Sequence, residues 1–109
     1  MTDDDAAFKA LADPTRRHIL DLLHERNGRS LSDIEIEVTR HSGMTRFGVM
    51  KHLKVLVHAG LVTTERNGRS TLHFLNPVPI RLIHDRWIAK YTEAHVAALS
   101  DLKNRLESS

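Results

Sequence analysis

The chain has 109 residues, of which 40% are apolar and 28% charged, with a net charge of +2 and no cysteine. That length suits one domain around one modest core. Without cysteine there are no disulfides and no thiolate metal sites, and no stretch approaches the roughly 18–20 apolar residues of a membrane helix.

The chain opens on Met1-Thr2-Asp3-Asp4-Asp5, which is too acidic for a signal or transit peptide, so a cytoplasmic location is expected. Ala6, Ala7, Phe8, Ala10 and Leu11 predict a short first helix over about 4–12. Asp13-Pro14 reads as an N-cap followed by proline at the first helical position. Ile19, Leu20, Leu22 and Leu23 continue at helical spacing, so a second helix spans 14–26. Asn27-Gly28 ends it, because glycine adopts positive φ at the lowest cost.

Ser32, with Glu35 three residues later, reads as a capping box and predicts a third helix over 33–40. The alternation in "IEIEVT" favours a strand on local propensity alone. The cap and the segment that follows decide for the helix. Ser42-Gly43 breaks it. Thr45 then caps a fourth helix over 46–59, with Val49, Leu53 and Leu56 on one face, and Gly60 ends it. Two helices joined by a short glycine-containing turn form a helix-turn-helix candidate.

Asn67-Gly68 between two strand-like runs predicts a hairpin with a two-residue type I′ turn. That turn would place Arg66 opposite Arg69, Thr64 opposite Thr71 and Val62 opposite His73. On the other face Glu65 would meet Ser70, Thr63 would meet Leu72 and Leu61 would meet Phe74, making that second face the inner one. Two arginines held face to face repel each other unless an anion lies between them, and a DNA phosphate or the narrow minor groove supplies one.

Pro77 and Pro79 precede a last helix over about 80–106. Its apolar residues include Trp87, Ile88, Tyr91, Leu99, Leu102 and Leu106. Nothing else in the chain is left to cover a helix of that length, so a second copy of the protein is the expected partner.

Charge is unevenly distributed. Residues 1–39 carry five Lys/Arg against nine Asp/Glu, whereas residues 40–73 carry six against one together with four histidines. A basic middle on a nearly neutral chain suggests a focused anion-binding face. The order of elements is that of a winged helix-turn-helix, mainly α with a small β-wing. Double-stranded DNA is therefore the expected partner. On the fourth helix the core face leaves Thr45, Arg46, Gly48, Lys51, His52 and Lys54 for DNA. Thr45 and the free helix amides suit a phosphate, Arg46 suits the bidentate edge of guanine, and Lys51 or Lys54 suits phosphate. His52 could touch DNA or cap the helix packing. The wing would contribute Arg66, Asn67, Gly68 and Arg69. The alternative class is a winged-helix module that binds protein rather than DNA. No phosphate-binding glycine loop or nucleophile motif points to an enzyme.

"FKALADPTRRHILDLL" (8–23) and "MTRFGVMKHLKVLVHAGLV" (44–62) resemble the ArsR/SmtB family of bacterial winged-helix repressors. The resemblance covers nearly the whole chain. It implies a single domain over 1–109 and a homodimer joined through its first and last helices, with Phe8 and Leu11 beside the last-helix residues named above. It also implies a third wing strand near Arg29–Leu31, a palindromic operator, autoregulation and a place on the nucleoid. Met50 stands where the family has a small polar residue, and the segment 31–45 is longer than usual. Some members sense metal through D-x-H…H-x-x-H/E on the last helix. His84 and His95, eleven residues or about three turns apart, reproduce the histidine spacing, but Leu82 and Ala98 occupy the partner positions. No metal or other cofactor is expected, a zinc-type metal-responsive repressor using His84 and His95 stands as a further alternative, and the sequence names no effector.

The block "ERNGRS" occurs at 25–30 and again at 65–70. Its surroundings do not align, so it is not a repeat. The first copy ends a helix and the second turns a hairpin. Arg26 and Arg29 in the first copy have no forced partner.

Overall fold

The computed structural model describes residues 3–108. Their order is α1 (Asp3–Leu11), α2 (Pro14–Glu25), β1 (Arg29–Ser30), α3 (Leu31–Ser42), α4 (Arg46–His58), β2 (Val62–Asn67), β3 (Ser70–Leu75) and α5 (Val78–Ile83). A five-residue π-helical segment, His84–Ile88, follows, and then α6 (Ala89–Ser108). The chain divides into two compact units, Met1–Pro79 and Ile80–Ser109.

In the first unit, side-chain caps set the helix starts. The Asp13 carboxylate accepts from the Arg16 amide, and Thr45 Oγ1 accepts from the Gly48 amide. The third cap differs from expectation. Ser30, not Ser32, accepts from the Asp33 amide, so α3 begins two residues early and runs to Ser42. Ser30 is also the last residue of β1, so one residue ends the strand and starts the helix. Gly43 ends α3 with φ +72°. The core is built from Ala7 and Ala10 of α1, the four predicted aliphatic residues of α2, Ile34 and Val38 of α3, Val49, Leu53 and Leu56 of α4, and Leu61 and Val62. Leu56 is fully buried. Leu56→Ala should lower the unfolding free energy by about 2–5 kcal/mol in a urea titration.

The sheet is antiparallel in the order β1-β3-β2. Its register corrects the expected hairpin. Asn67 pairs with Ser70, Arg66 with Thr71, Thr64 with His73 and Thr63 with Phe74. Arg66 and Arg69 are therefore not opposed, and no repulsion is built into the turn. The loop is Gly68-Arg69, one residue later than the Asn-Gly rule places it. Gly68 has φ +62°, and among the described residues every residue with positive φ is a glycine. A turn of the II′ kind needs positive φ only at its first central position, whereas type I′ would also force Asn67 into the left-handed region. Asn67 instead stays extended and joins the ladder.

The inner face is corrected as well. Val62 and His73, from the face expected to be outer, are buried, while Leu72 and Phe74 are only partly covered. The His73 face lies over α4, where it shares a groove with Met50, Leu53 and Val57. His73 Nδ1 lies 3.0 Å from the Arg29 carbonyl oxygen, so the ring donates across the β1–β3 pair.

The first "ERNGRS" ends α2 and enters the same sheet. The Gly28 amide donates to the His73 carbonyl, and Asn27 Oδ1 accepts from the Leu75 amide at 2.8 Å. Its arginines have partners, contrary to expectation. Arg26 pairs with Asp33 at 2.7 Å, and Arg29 Nε donates to the Leu22 carbonyl at 3.0 Å.

In the second unit the expected uniform α-helix is interrupted by the π segment His84–Ile88. This wider turn retards the winding, so eleven residues no longer close three whole turns between His84 and His95. Trp87, Ile88, Tyr91, Leu99, Leu102 and Leu106 are all exposed on this helical stretch, and Phe8 is exposed on α1. Leu11 is partly covered.

Candidate nucleic-acid interface

α4 presents Arg46, Phe47, Lys51 and Lys54 to solvent, while its opposite face fills the core. Thr45 caps the helix, and its hydroxyl keeps a hydrogen to donate outward while its oxygen accepts from Gly48 at 3.2 Å. Gly48 leaves room for the Met44 side chain as it lies. A Cβ there would come within 2.8 Å of Met44 Cγ. Phe47 is 70% exposed, the most exposed large apolar residue of the chain's described part, with Lys51 Nζ 5.3 Å from its ring centre. Sequence reasoning missed Phe47. The signal was available, since position 47 lies off the stripe formed by Val49, Leu53 and Leu56.

Arg46 and Arg69 line one polar hollow of about 300 Å³ together with Ser30, Ser32, Ser70 and Thr71. α4 supplies the first arginine and the wing turn the second. Ser30, the N-cap of α3, and Leu31 and Ser32 of its first turn complete the lining. No carboxylate lines the hollow. Arg46 is held from the side by Glu35 at 3.1 Å, an exposed pair of small net worth that exchange for an anion can replace. Arg66 lies outside this hollow and contacts Thr71 Oγ1 and the Gly68 carbonyl, each at 3.4 Å.

His52 does not join the outward face. Its Nδ1 lies 3.1 Å from Arg16 Nη1 and 3.7 Å from Asp13 Oδ2, and its side chain is only 20% exposed. Arg16 also donates to the Ala10 carbonyl at 2.8 Å and the Lys9 carbonyl at 3.1 Å. His52 thus fastens α4 to the start of α2 and is not positioned to read DNA. Met50 likewise turns under the wing, into the groove with Thr64 and His73.

Desolvation pushes the Asp13 carboxyl upward. The Arg16 amide, the His52 imidazole and the Arg16 guanidinium outweigh that push together and hold Asp13 below its ordinary value of 3.8. A carboxyl depressed in the folded state stabilises the fold above its unfolded pKa, and the benefit disappears as pH falls through the folded one. Asp13→Asn keeps a capping side chain but loses the charge. It should unfold more easily than wild type at pH 7, and the difference should shrink as the pH is taken below the ordinary carboxyl range, as followed by chemical denaturation across a pH series.

His84 and His95 are engaged locally. His84 Nδ1 lies 3.2 Å from Asp85 Oδ1, and His95 Nδ1 lies 2.9 Å from the Tyr91 carbonyl oxygen. Among the described residues no group of three or more His, Cys, Asp or Glu could hold a metal ion. An unexpected histidine pair, His18 and His41, stacks at 4.6 Å between α2 and α3. No helix of the described residues is long and apolar enough to cross a membrane.

A family model for a helix-turn-helix domain matches residues 11–65. The uncharacterized HTH-type transcriptional regulator YuzN of Bacillus subtilis (strain 168) is 44% identical over 86 residues, covering 77% of this chain and 94% of that protein. The transcriptional repressor SdpR of the same organism is 33% identical over 69 residues, covering 63% of this chain and 71% of that protein. The homodimeric winged helix-turn-helix DNA-binding domain Mb0332 from Mycobacterium bovis superposes with a TM-score of 0.63 at 25% identity, covering 83% of this chain and 80% of that one. Solved structures of an ArsR family transcriptional regulator and of an ArsR-like transcriptional regulator from Rhodococcus sp. RHA1 share the fold. A capped recognition helix, a three-stranded wing and this kinship have one meaning: the chain belongs to the ArsR-type helix-turn-helix transcriptional regulators and is not an enzyme.

Proposed function

We propose that the protein is a dimeric repressor that binds a palindromic operator, including one at its own promoter. The observation that carries this reading is the convergence of Arg46 and Arg69 on one hydroxyl-lined hollow free of carboxylates. Two guanidinium groups and four hydroxyls suit the oxygens of a DNA phosphate. With a phosphate seated there, α4 lies along the major groove beside it and the wing tip, Arg66 to Arg69, reaches toward the adjoining groove. Thr45 and Lys51 contact the backbone, and Lys54 adds charge farther along the helix. Phe47 meets base edges, where a thymine methyl offers an apolar contact. Gly48 allows close approach at the helix start.

Two copies joined through the exposed apolar residues of α1 and α6 would present two such helices, and a two-fold protein matches a palindrome. The homodimeric state of the Mycobacterium bovis relative and the repressor role of SdpR support this reading. The test is a footprint on the DNA upstream of the coding sequence. The expected result is a protected, two-fold symmetric site whose affinity falls steeply with salt. Equal binding to unrelated DNA of the same length would defeat the proposal.

A further inference from the structure

A second concavity lies between α4 and the wing and shares only Leu31 and Thr71 with the phosphate seat. It is a groove of about 400 Å³ walled by Leu31, Met50, Leu53 and Val57, with Lys54 and His58 along one edge. Thr64, Thr71 and the buried His73 close it on the sheet side. Its volume falls within the range of small-molecule sites. The lining contains no acidic residue. Lys54 and His58 also border the neighbouring concavity beneath α1, where Lys9 is the other polar member and no carboxylate intervenes. An apolar trough with an uncompensated cation on its edge suits a molecule with an apolar body and one negative end.

We propose that this groove binds a small hydrophobic carboxylate. The carboxylate lies against Lys54 Nζ and accepts from the His58 ring, while the apolar body lies along Met50, Leu53 and Val57. A flat aromatic body suits the Met50 thioether, which packs well against rings. The groove walls belong to the two elements that carry Arg46 and Arg69, so an occupant sets the spacing of the phosphate seat. That regulatory consequence rests on the DNA-binding reading; the binding itself does not.

The test uses the full chain and 2-naphthoate, with its neutral methyl ester as control, by isothermal titration. The expected result is saturable binding of one 2-naphthoate per chain, at a Kd on the order of tens of micromolar, and at least tenfold weaker binding of the ester. Lys54→Gln should bring the two ligands level. Val57→Trp and Thr64→Phe, which fill the trough from opposite walls, should each remove binding while circular dichroism stays unchanged. No saturation up to millimolar ligand, equal affinity for acid and ester, or wild-type affinity in either folded blocking variant would overturn the proposal. Because no DNA is present, these outcomes are independent of operator binding. With operator added, saturating 2-naphthoate should change DNA affinity at least threefold, and an unchanged affinity would refute the regulatory consequence alone.

Discussion

Replacing Arg46 and Arg69 together by alanine should lower operator affinity by about 1000-fold or more at physiological salt, since each lost charge-assisted contact is worth at least about 1 kcal/mol and the two protomers together lose four. The fall should be accompanied by a shallower dependence of log affinity on log salt, with the slope reduced by roughly 0.9 for each phosphate released. The two single variants separate the roles. Arg69→Ala, on the wing turn, should weaken binding to all sequences alike. Arg46→Ala, at the first turn of the recognition helix, should in addition relax the preference for operator over unrelated DNA. Glu35→Gln gives the opposite sign. It frees Arg46 from its 3.1 Å partner and should tighten binding severalfold. Fluorescence anisotropy across a salt series measures all of these. An unchanged slope in the double variant would place the phosphate contacts elsewhere.

Replacing Leu99 and Leu102 by glutamate should have a still larger effect. Both side chains are exposed on α6, as are Leu106, Tyr91 and Trp87 on the same helical stretch. An exposed apolar run of this length is uncommon on a monomer and is the natural seat of a partner copy. Buried unpaired carboxylates at such a seat cost several kcal/mol for each protomer. Analytical ultracentrifugation should show a dimer for wild type and a monomer for Leu99→Glu/Leu102→Glu. The variant should lose specific operator binding altogether at concentrations that saturate wild type, because a single half-site forfeits the joint contribution of two. A variant that remains dimeric would move the interface off α6. Circular dichroism should be unchanged in the first unit's signals, where none of the substituted residues lies.

Much of the architecture was legible because the helix boundaries carry local chemistry. Asp13-Pro14, Thr45 and the glycines at 28, 43 and 60 mark ends whose physics is contained in a few residues. The β-like "IEIEVT" became helix because Ile34 and Val38 needed one buried face at helical spacing. The exact start was misplaced because Ser30 and Ser32 both offer a capping hydroxyl, and pairing of Arg29 with His73 across the sheet, a contact distant in sequence, selects the first. The hairpin register failed for a similar reason. The Asn-Gly rule concerns the turn alone, whereas the ladder is also fixed at its base, where the Asn76 amide donates to the Leu61 carbonyl and the Asn76 side chain to the Gly60 carbonyl. The error mattered, because the opposed arginines were the stated reason for DNA at the wing. The structure gives Arg69 a different companion, Arg46, from an element 23 residues away in sequence. No periodicity could show that. The helical position of His52 borders both faces, so the sequence alone allows either DNA or packing; the arrival of Arg16 from α2 selects packing.

Arg16 reaches the carbonyls at the end of α1 and the imidazole on α4 from its own place on α2. One guanidinium thereby bolts three helices into a single lever. A push on α1, the helix proposed to meet the partner copy, therefore meets these bonds before it meets the loops. Under the proposed dimeric reading it would be passed to α4 as a change of pitch, the quantity that decides whether two such helices fit successive turns of the same duplex.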